Sequence, residues 1–173
     1  MPAPTLEAPP ARLRALALDD AAALFPAFAD PVNMTYWSCP PHADIAETRA
    51  DIAWWLDNHG QAAWSILDSD GAVAGRTGLV TLRAGIGEVG VILRPDAAGK
   101  GLARAAVGAM VDYGFAALGL HRIAADIDPD NAPSRRLFEA LGFGLEGTLK
   151  HNWRTHLGLR DTVMYARLAP TKD

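Results

Sequence analysis

The run Val91-Ile92-Leu93-Arg94-Pro95-Asp96-Ala97-Ala98-Gly99-Lys100-Gly101-Leu102-Ala103 has the makings of an anion site. A β-prone apolar stretch ends at Arg94-Pro95, and helical periodicity begins within the glycines. The first N–H groups of a helix have no intrahelical partner, and the positive end of the macrodipole adds to them. Gly99 and Gly101 lack Cβ atoms, so an anion can come close to the backbone there. Lys100 and Arg94 offer cationic contacts, and Ala103 keeps the first turn narrow. The same residues would also serve as a plain turn, so the segment alone leaves both readings open. Two common phosphate motifs are excluded. Leu102 follows Gly101, so there is no Walker loop. Gly85-Ile86-Gly87-Glu88-Val89-Gly90 matches a dinucleotide fingerprint by letters only, because it precedes a strand instead of joining a strand to a helix.

Other chemistries find little support. His151 and His156 lack a third ligand nearby, so no metal site is expected. Cys39 is the only cysteine of the 173 residues, which excludes an internal disulfide and a cysteine metal cage. No Gly-x-Ser-x-Gly elbow points to a serine hydrolase. The net charge of -4 and the absence of any Lys/Arg run argue against nucleic acid as a partner. The N-terminus has neither the basic nor the apolar region of a secretory signal, and no apolar run approaches a bilayer-spanning length. A cytoplasmic protein without membrane contact is expected.

The elements that must position the glycine turn follow from periodicity. Residues 1–10, rich in Pro and Ala, read as a flexible tail, 11–169 as a single domain, and 170–173 as a second tail. Leu13, Ala15 and Ala17 mark a short strand. Asp19 and Asp20 are N-cap candidates for a helix over Ala21–Ala29, which Pro26 should kink or shorten. Asp30–His42, with Pro31, Pro40 and Pro41 around Tyr36 and Trp37, reads as a long shaped loop. A helix is predicted from Asp44 to His59, and strands around Ala62–Ile66, Val73–Thr81 and Gly87–Leu93. A helix over Lys100–Leu118, a strand over His121–Asp128 and a helix over Asn131–Leu141 follow. Two last strands are expected near Leu145–Lys150 and Thr162–Leu168. Strands in a meander followed by a strand–helix–strand–helix unit predict a mixed α/β fold with a partly parallel sheet.

Taken in order, Glu88-Val89-Gly90, Gly99–Ala103, His121-Arg122, Asp128–Ser134 and Leu141-Gly142-Phe143 resemble the GNAT superfamily of N-acetyltransferases, and more narrowly its RimJ/RimL-like branch of ribosomal-protein N-terminal acetyltransferases. The family's Gln/Arg-x-x-Gly-x-Gly/Ala signature falls on Ala98–Ala103, with Ala98 departing from the polar first position. The resemblance implies a central mixed sheet of about seven strands flanked by helices. Two parallel strands, here Gly87–Leu93 and His121–Asp128, would splay apart to hold CoA. Backbone groups of Ile92, Leu93 and Arg94 would receive the pantetheine arm, with an N–H near Ile92 on the thioester carbonyl. Gly99, Lys100, Gly101, Leu102 and Ala103 would hold the pyrophosphate. Asn131 would bind cofactor as well as cap its helix.

The implied reaction is direct acetyl transfer from acetyl-CoA to a primary amine, with no metal. Glu88, on the strand facing the cleft, is the candidate base, directly or through water; its alternative is an ordinary solvent-facing or salt-bridged strand carboxylate. Ser134 would hydrogen-bond the coenzyme sulfur and help protonate it. The acceptor pocket would be built from the Asp30–His42 and Leu149–Asp161 loops, with Tyr36 and Trp37 lining it unless they are simply core. The favoured acceptor is a protein or peptide N-terminal amine, because Asp30 is the only carboxylate in the Asp30–His42 loop and a polyamine should want several. A small-molecule amine (polyamine, amino sugar or antibiotic) and a non-catalytic acyl-CoA sensor are the alternatives. A monomer or homodimer is expected.

Overall fold

The computed structural model describes residues 2–170. Among these residues eight strands form one sheet in the order β1-β2-β3-β4-β5-β6-β8-β7. They are β1 (Leu6–Ala8), β2 (Ala11–Ala15), β3 (Ala63–Leu67), β4 (Val73–Arg83), β5 (Ile86–Leu93), β6 (Arg122–Ile127), β7 (Gly144–Thr155) and β8 (Gly158–Leu168). Every neighbouring pair is antiparallel except β5 and β6. A parallel pair needs a crossover, and α3 (Leu102–Ala116) supplies it. The other helices are α1 (Ala21–Ala29), α2 (Ile45–His59) and α4 (Ala132–Ala140). The architecture is the mixed α/β sheet expected, with one strand more than the seven.

The extra strand comes from the expected tail. Leu6–Ala8 pairs with Ala11–Leu13, Ala3 N–H donates to the Gly60 carbonyl, and the Trp64 indole N–H donates to the Pro4 carbonyl at 2.7 Å. A fully buried Trp must satisfy its one donor, and this N-terminal segment does so. The flexible-tail expectation for residues 1–10 therefore fails for the described ones. Of the tail at 170–173, residues 171–173 lie outside the described residues.

Helices cover both faces of the sheet. Val107, Met110 and Val111 of α3 bury against Leu13, Trp64, Ile66, Leu79 and Ile123 on one face. Leu24 and Phe28 of α1 and Ile52 and Trp55 of α2 pack with Ala63 and Ile92 on the other. This explains why β3 is buried along its whole length although its sequence alternates.

Asp44 caps α2 by accepting the Glu47 N–H. Asp20 was the equivalent expectation for α1, but its side chain makes no cap bond. Instead it is buried and accepts from Arg14, from the Ser65 hydroxyl at 2.6 Å and from the Ala17 N–H. Arg14 is the stronger attraction for a carboxylate leaving water. Pro26 neither ends nor shortens α1, which spans the expected range. Its position is exposed, so water can reach the backbone around the missing N–H. The largest departure is at the end of the chain. The expected loop across Leu149–Asp161 is mostly strand, because β7 and β8 extend toward one another as a long hairpin closed at Thr155–Gly158.

Candidate active site

The two parallel strands stay together for only three register positions, Ile86↔Arg122, Gly87↔Ile123 and Glu88↔Ala124. Beyond Glu88 they separate. β5 remains paired with β4 as far as Leu93↔Gly75, and β6 with β8 as far as Ile127↔Val163. Each strand therefore turns one unpaired edge toward a V-shaped gap.

Alternation fixes which groups face that gap. Arg94 N–H donates to Ala74 O at 2.8 Å, so its partners two and four residues back, Ile92 and Gly90, also point at β4. The N–H and C=O groups of Val89, Val91 and Leu93 point into the gap. This corrects the expected role of the Ile92 amide: its N–H is turned away, and Val91 is the better-placed neighbour. The Leu93 carbonyl already accepts the Asn33 side-chain N–H at 2.7 Å. Arg94 is likewise committed, since its guanidinium bonds Asp96 and the Val73 carbonyl. It stabilises the turn before the glycines and is not a free cation for phosphate.

The glycine turn itself has the geometry of an anion cradle. Gly99 and Gly101 have φ of +76° and +78°, a left-handed conformation that side chains disfavour. Among the described residues, the N–H groups of Gly99, Lys100, Gly101, Leu102, Ala103 and Arg104 meet no protein acceptor. They open onto the start of α3, where the helix dipole adds positive potential. These residues and the free β5 edge suit a pyrophosphate followed by an amide-bearing arm.

A cleft of about 260 Å³ lies where the strands part, near the low end of small-ligand pockets of roughly 300–1,000 Å³. Tyr36, Trp37, Glu88, Asn131 and Ser134 all line it, so this one space collects five of the residues anticipated from the sequence. Asn131 Oδ1 accepts the Ser134 N–H at 3.1 Å and so caps α4, which sets the Ser134 side chain in the first helical turn beside the cleft. Tyr36 donates to the Asp130 carbonyl at 3.3 Å. Trp37 lines the cleft and also packs edge-on against Phe28, so its core and pocket roles coexist. The glycine turn and Ile92, Leu93 and Arg94 are not part of this cleft lining.

Several charged lining residues were not singled out from the sequence, although Arg160 and Asp161 belong to the Leu149–Asp161 segment expected to build the pocket. Asp126, Asp128, Arg160 and Asp161 bring charge from β6, its following turn and β8. Arg160 holds Asp128 at 2.6 and 2.9 Å and Asp130 at 2.7 Å, which drives its own pKa upward. Asp161 is held by Lys150 and the His151 N–H, and its pKa falls accordingly. Glu88 has no hydrogen-bond partner among the described residues. Burial, followed by repulsion from Asp126, pushes its carboxyl above the ordinary glutamate range.

Trp55 forms another wall. Its ring lies 4.5 Å from the buried Arg76 guanidinium, which is also 5.2 Å from the Phe28 ring and paired with Asp51 at 3.0 Å. Such stacking suits a guanidinium better than an ammonium. The only sequence signal for this wall was the helical spacing of Trp55.

A protein-family model described as an acetyltransferase (GNAT) domain matches residues 11–144. The chain is 34% identical over 162 residues to the uncharacterized N-acetyltransferase p20 of Bacillus licheniformis, covering 90% of this chain and 91% of that protein. It is 30% identical over 125 residues to the spermidine N(1)-acetyltransferase of Escherichia coli (strain K12), covering 69% of this chain and 65% of the relative. Mycobacterium smegmatis RimJ in complex with CoA-disulfide superposes with a TM-score of 0.80 at 28% identity, over 95% of this chain and 86% of that one. No helix among the described residues is long and apolar enough to cross a membrane. The splayed strands, the helix-start glycines and the family match agree: this chain is an N-acetyltransferase of the GNAT family.

Proposed function

We propose that the acceptor is a small cationic primary amine, acetylated directly from acetyl-CoA in the cytoplasm. The observation that carries this reading is the set of carboxylates lining the cleft, Glu88, Asp126, Asp128 and Asp161: Arg160 pairs with Asp128 and Lys150 with Asp161, which leaves Glu88 and Asp126 without a cationic partner among the described residues. The preference for a peptide acceptor rested on Asp30 being the lone acid of its loop. Asp30 instead caps the Asn33 N–H, and the cleft's acids come from strands and the turn after β6. The aromatic walls Tyr36, Trp37 and Trp55 suit an ammonium as well as the methylenes beside it. The 30% identity to a spermidine N(1)-acetyltransferase is consistent with this class. The likeness to RimJ supports the second reading, a peptide N-terminal amine and the RimJ/RimL-like branch.

Acetyl-CoA supplies the activated acyl carbon. The amides of Gly99–Ala103 bind its pyrophosphate, and the gap-side groups of Val89, Val91 and Leu93 orient its arm by strand-like pairing. Asn131 contacts it from the cap of α4. The Val91 N–H donates to the thioester oxygen as negative charge grows there. Glu88 takes a proton from the bound ammonium, freeing the lone pair that attacks. That transfer is uphill for an ordinary carboxylate near about 4.3 and an amine near about 10.4; the upward displacement of Glu88 narrows the gap. As the carbon–sulfur bond breaks, Ser134 donates a hydrogen bond to the sulfur and the second proton of the attacking nitrogen passes to that sulfur, so that CoA leaves as the thiol and the product is a neutral amide.

A product assay with acetyl-CoA and a panel of spermidine, an amino sugar and Ala- or Ser-initiated peptides tests the acceptor. Spermidine or another small amine should give the highest kcat/KM; a peptide winning at equal concentration would reverse the order of the two readings. In the same assay Ser134→Ala should lower kcat more than it weakens acetyl-CoA binding, because the leaving sulfur gains charge only in the transition state. Unchanged turnover would leave Ser134 as a residue of the helix start alone.

A further inference from the structure

Glu88 and Asp126 sit on the same face of the sheet at the point where its two parallel strands part. Glu88 is in register with Ala124, and Asp126 is the next residue of β6 to face the same way. Both line the cleft, yet their surroundings differ sharply. Asp126 accepts from the Trp153 indole N–H at 2.6 Å, the Thr162 hydroxyl at 2.7 Å and the Asn152 amide at 3.3 Å. All three donors come from the β7–β8 hairpin. Indole and amide N–H groups can only donate, so the hairpin turns donors toward both oxygens of Asp126. Glu88 receives no donor at all among the described residues.

We propose that the two carboxylates act as an unequal pair, in which Asp126 is a positioning residue that retains the charge and Glu88 exchanges the proton with the acceptor amine. The role of Glu88 rests on the acetyl-transfer reading above; the inequality of the pair does not. Two like charges in one half-buried site cannot both ionise without cost, and the member lacking donors is the one that protonates first. The repulsion that Asp126 exerts on Glu88 agrees with this.

The other charged groups on this face are compensated locally. Asp128 is held by Arg160, Asp161 by Lys150, and Asp51 by Arg76. Tyr36 donates to the Asp130 carbonyl, and burial against the tryptophans lowers the pKa of His59, favouring its neutral form. Asp126 is thus the uncompensated neighbour that Glu88 meets. The hairpin that holds Asp126 thereby governs the basicity of a residue on a strand with which it does not pair.

The pair can be titrated in the free protein by carbon-13 NMR of the side-chain carboxyls, with Glu88→Gln assigning the Glu88 signal. In Asp126→Asn the Glu88 midpoint should fall. In Trp153→Phe, which removes one donor at a partly exposed position and leaves both acids, the lower titration of the pair should rise, while the upper one, which ionises Glu88 beside an already charged Asp126, should stay in place. This separation, with the upper step moved by one variant and the lower step by the other, would not follow from general loosening of the cleft. The Trp153→Phe arm also remains informative if Asp126→Asn, which turns an amide toward donors, fails to fold. A Glu88 midpoint that stays fixed in folded Asp126→Asn, or a lower step that stays fixed in folded Trp153→Phe, overturns the pairing. The acidic limb of kcat/KM, measured on the same proteins, addresses the separate matter of the base. A limb that ignores a displaced Glu88 midpoint overturns Glu88 as the base, while the titrations still support the unequal pair.

Discussion

Adding one methyl group at Gly78 should disturb acceptor binding from beneath the cleft. Gly78 and Gly90 are register partners on β4 and β5, and the Trp55 indole lies over both. A Cβ on Gly78 would stand 2.9 Å from the Ala62 carbonyl oxygen and nearer still to Trp55 Cζ3, closer than real side chains approach, whereas one on Gly90 would meet the same indole at 3.6 and 3.7 Å. The first is a clash and the second an ordinary contact. Overpacking a tight site costs about 1–3 kcal/mol. Glycine to alanine in a permitted backbone conformation returns about 0.4–1 kcal/mol by restricting the unfolded chain. The clash wins at Gly78, for a net loss of about 1–2 kcal/mol or about 2–8 °C in Tm. Gly90→Ala should be neutral or slightly stabilising. The indole cannot yield freely, because Arg76 is stacked on it at 4.5 Å. Its displacement must therefore be felt in the cleft that it lines. Urea unfolding at constant m-value measures the stability, and steady-state kinetics should show the amine KM raised in Gly78→Ala while CoA affinity is retained. Equal stability of the two variants, or an amine KM untouched by Gly78→Ala, would refute the argument that bare backbone seats this wall.

Gly101→Val places a β-branched residue at φ +78° and should weaken CoA binding at least about tenfold, or about 1.4 kcal/mol; unchanged affinity by calorimetry on the folded variant would remove the pyrophosphate assignment. Glu88→Gln should abolish most turnover and yet stabilise the fold near neutrality. A carboxyl whose folded pKa is raised binds more protons folded than unfolded, so its contribution is most favourable at low pH and declines as pH rises through the folded pKa. The stability gain of the Gln variant should accordingly fade below the ordinary glutamate range, and a gain independent of pH in thermal melts would contradict the cause given for the shift.

Local patterns were enough to identify much of the framework. The spacing of Ile52, Trp55 and Leu56 marked α2, and Asp44 marked its start. The glycines after Arg94-Pro95 announced a helix start with unpaired amides, because turn chemistry and helix ends depend on residues close in the chain. The acceptor cleft was legible only in part. Tyr36, Trp37, Glu88, Asn131 and Ser134 were singled out and do line one space, but its charge was misjudged. Asp126 read as an ordinary strand residue, Asp128 only as the first residue of a family motif, and Arg160 and Asp161 only as part of a pocket loop. Their convergence depends on β6 pairing with β8 and on β7 and β8 running on as a hairpin, contacts between segments some thirty residues apart. The N-terminal segment was misread for the same reason: its Pro- and Ala-rich composition says nothing of the indole N–H of Trp64, about sixty residues away, that needs its carbonyl. Periodicity reports which face of an element is apolar. Which elements then meet, and which carboxylate is left without a donor when they do, is decided by tertiary packing, because hydrogen-bond satisfaction and charge repulsion act through space without regard to distance along the chain.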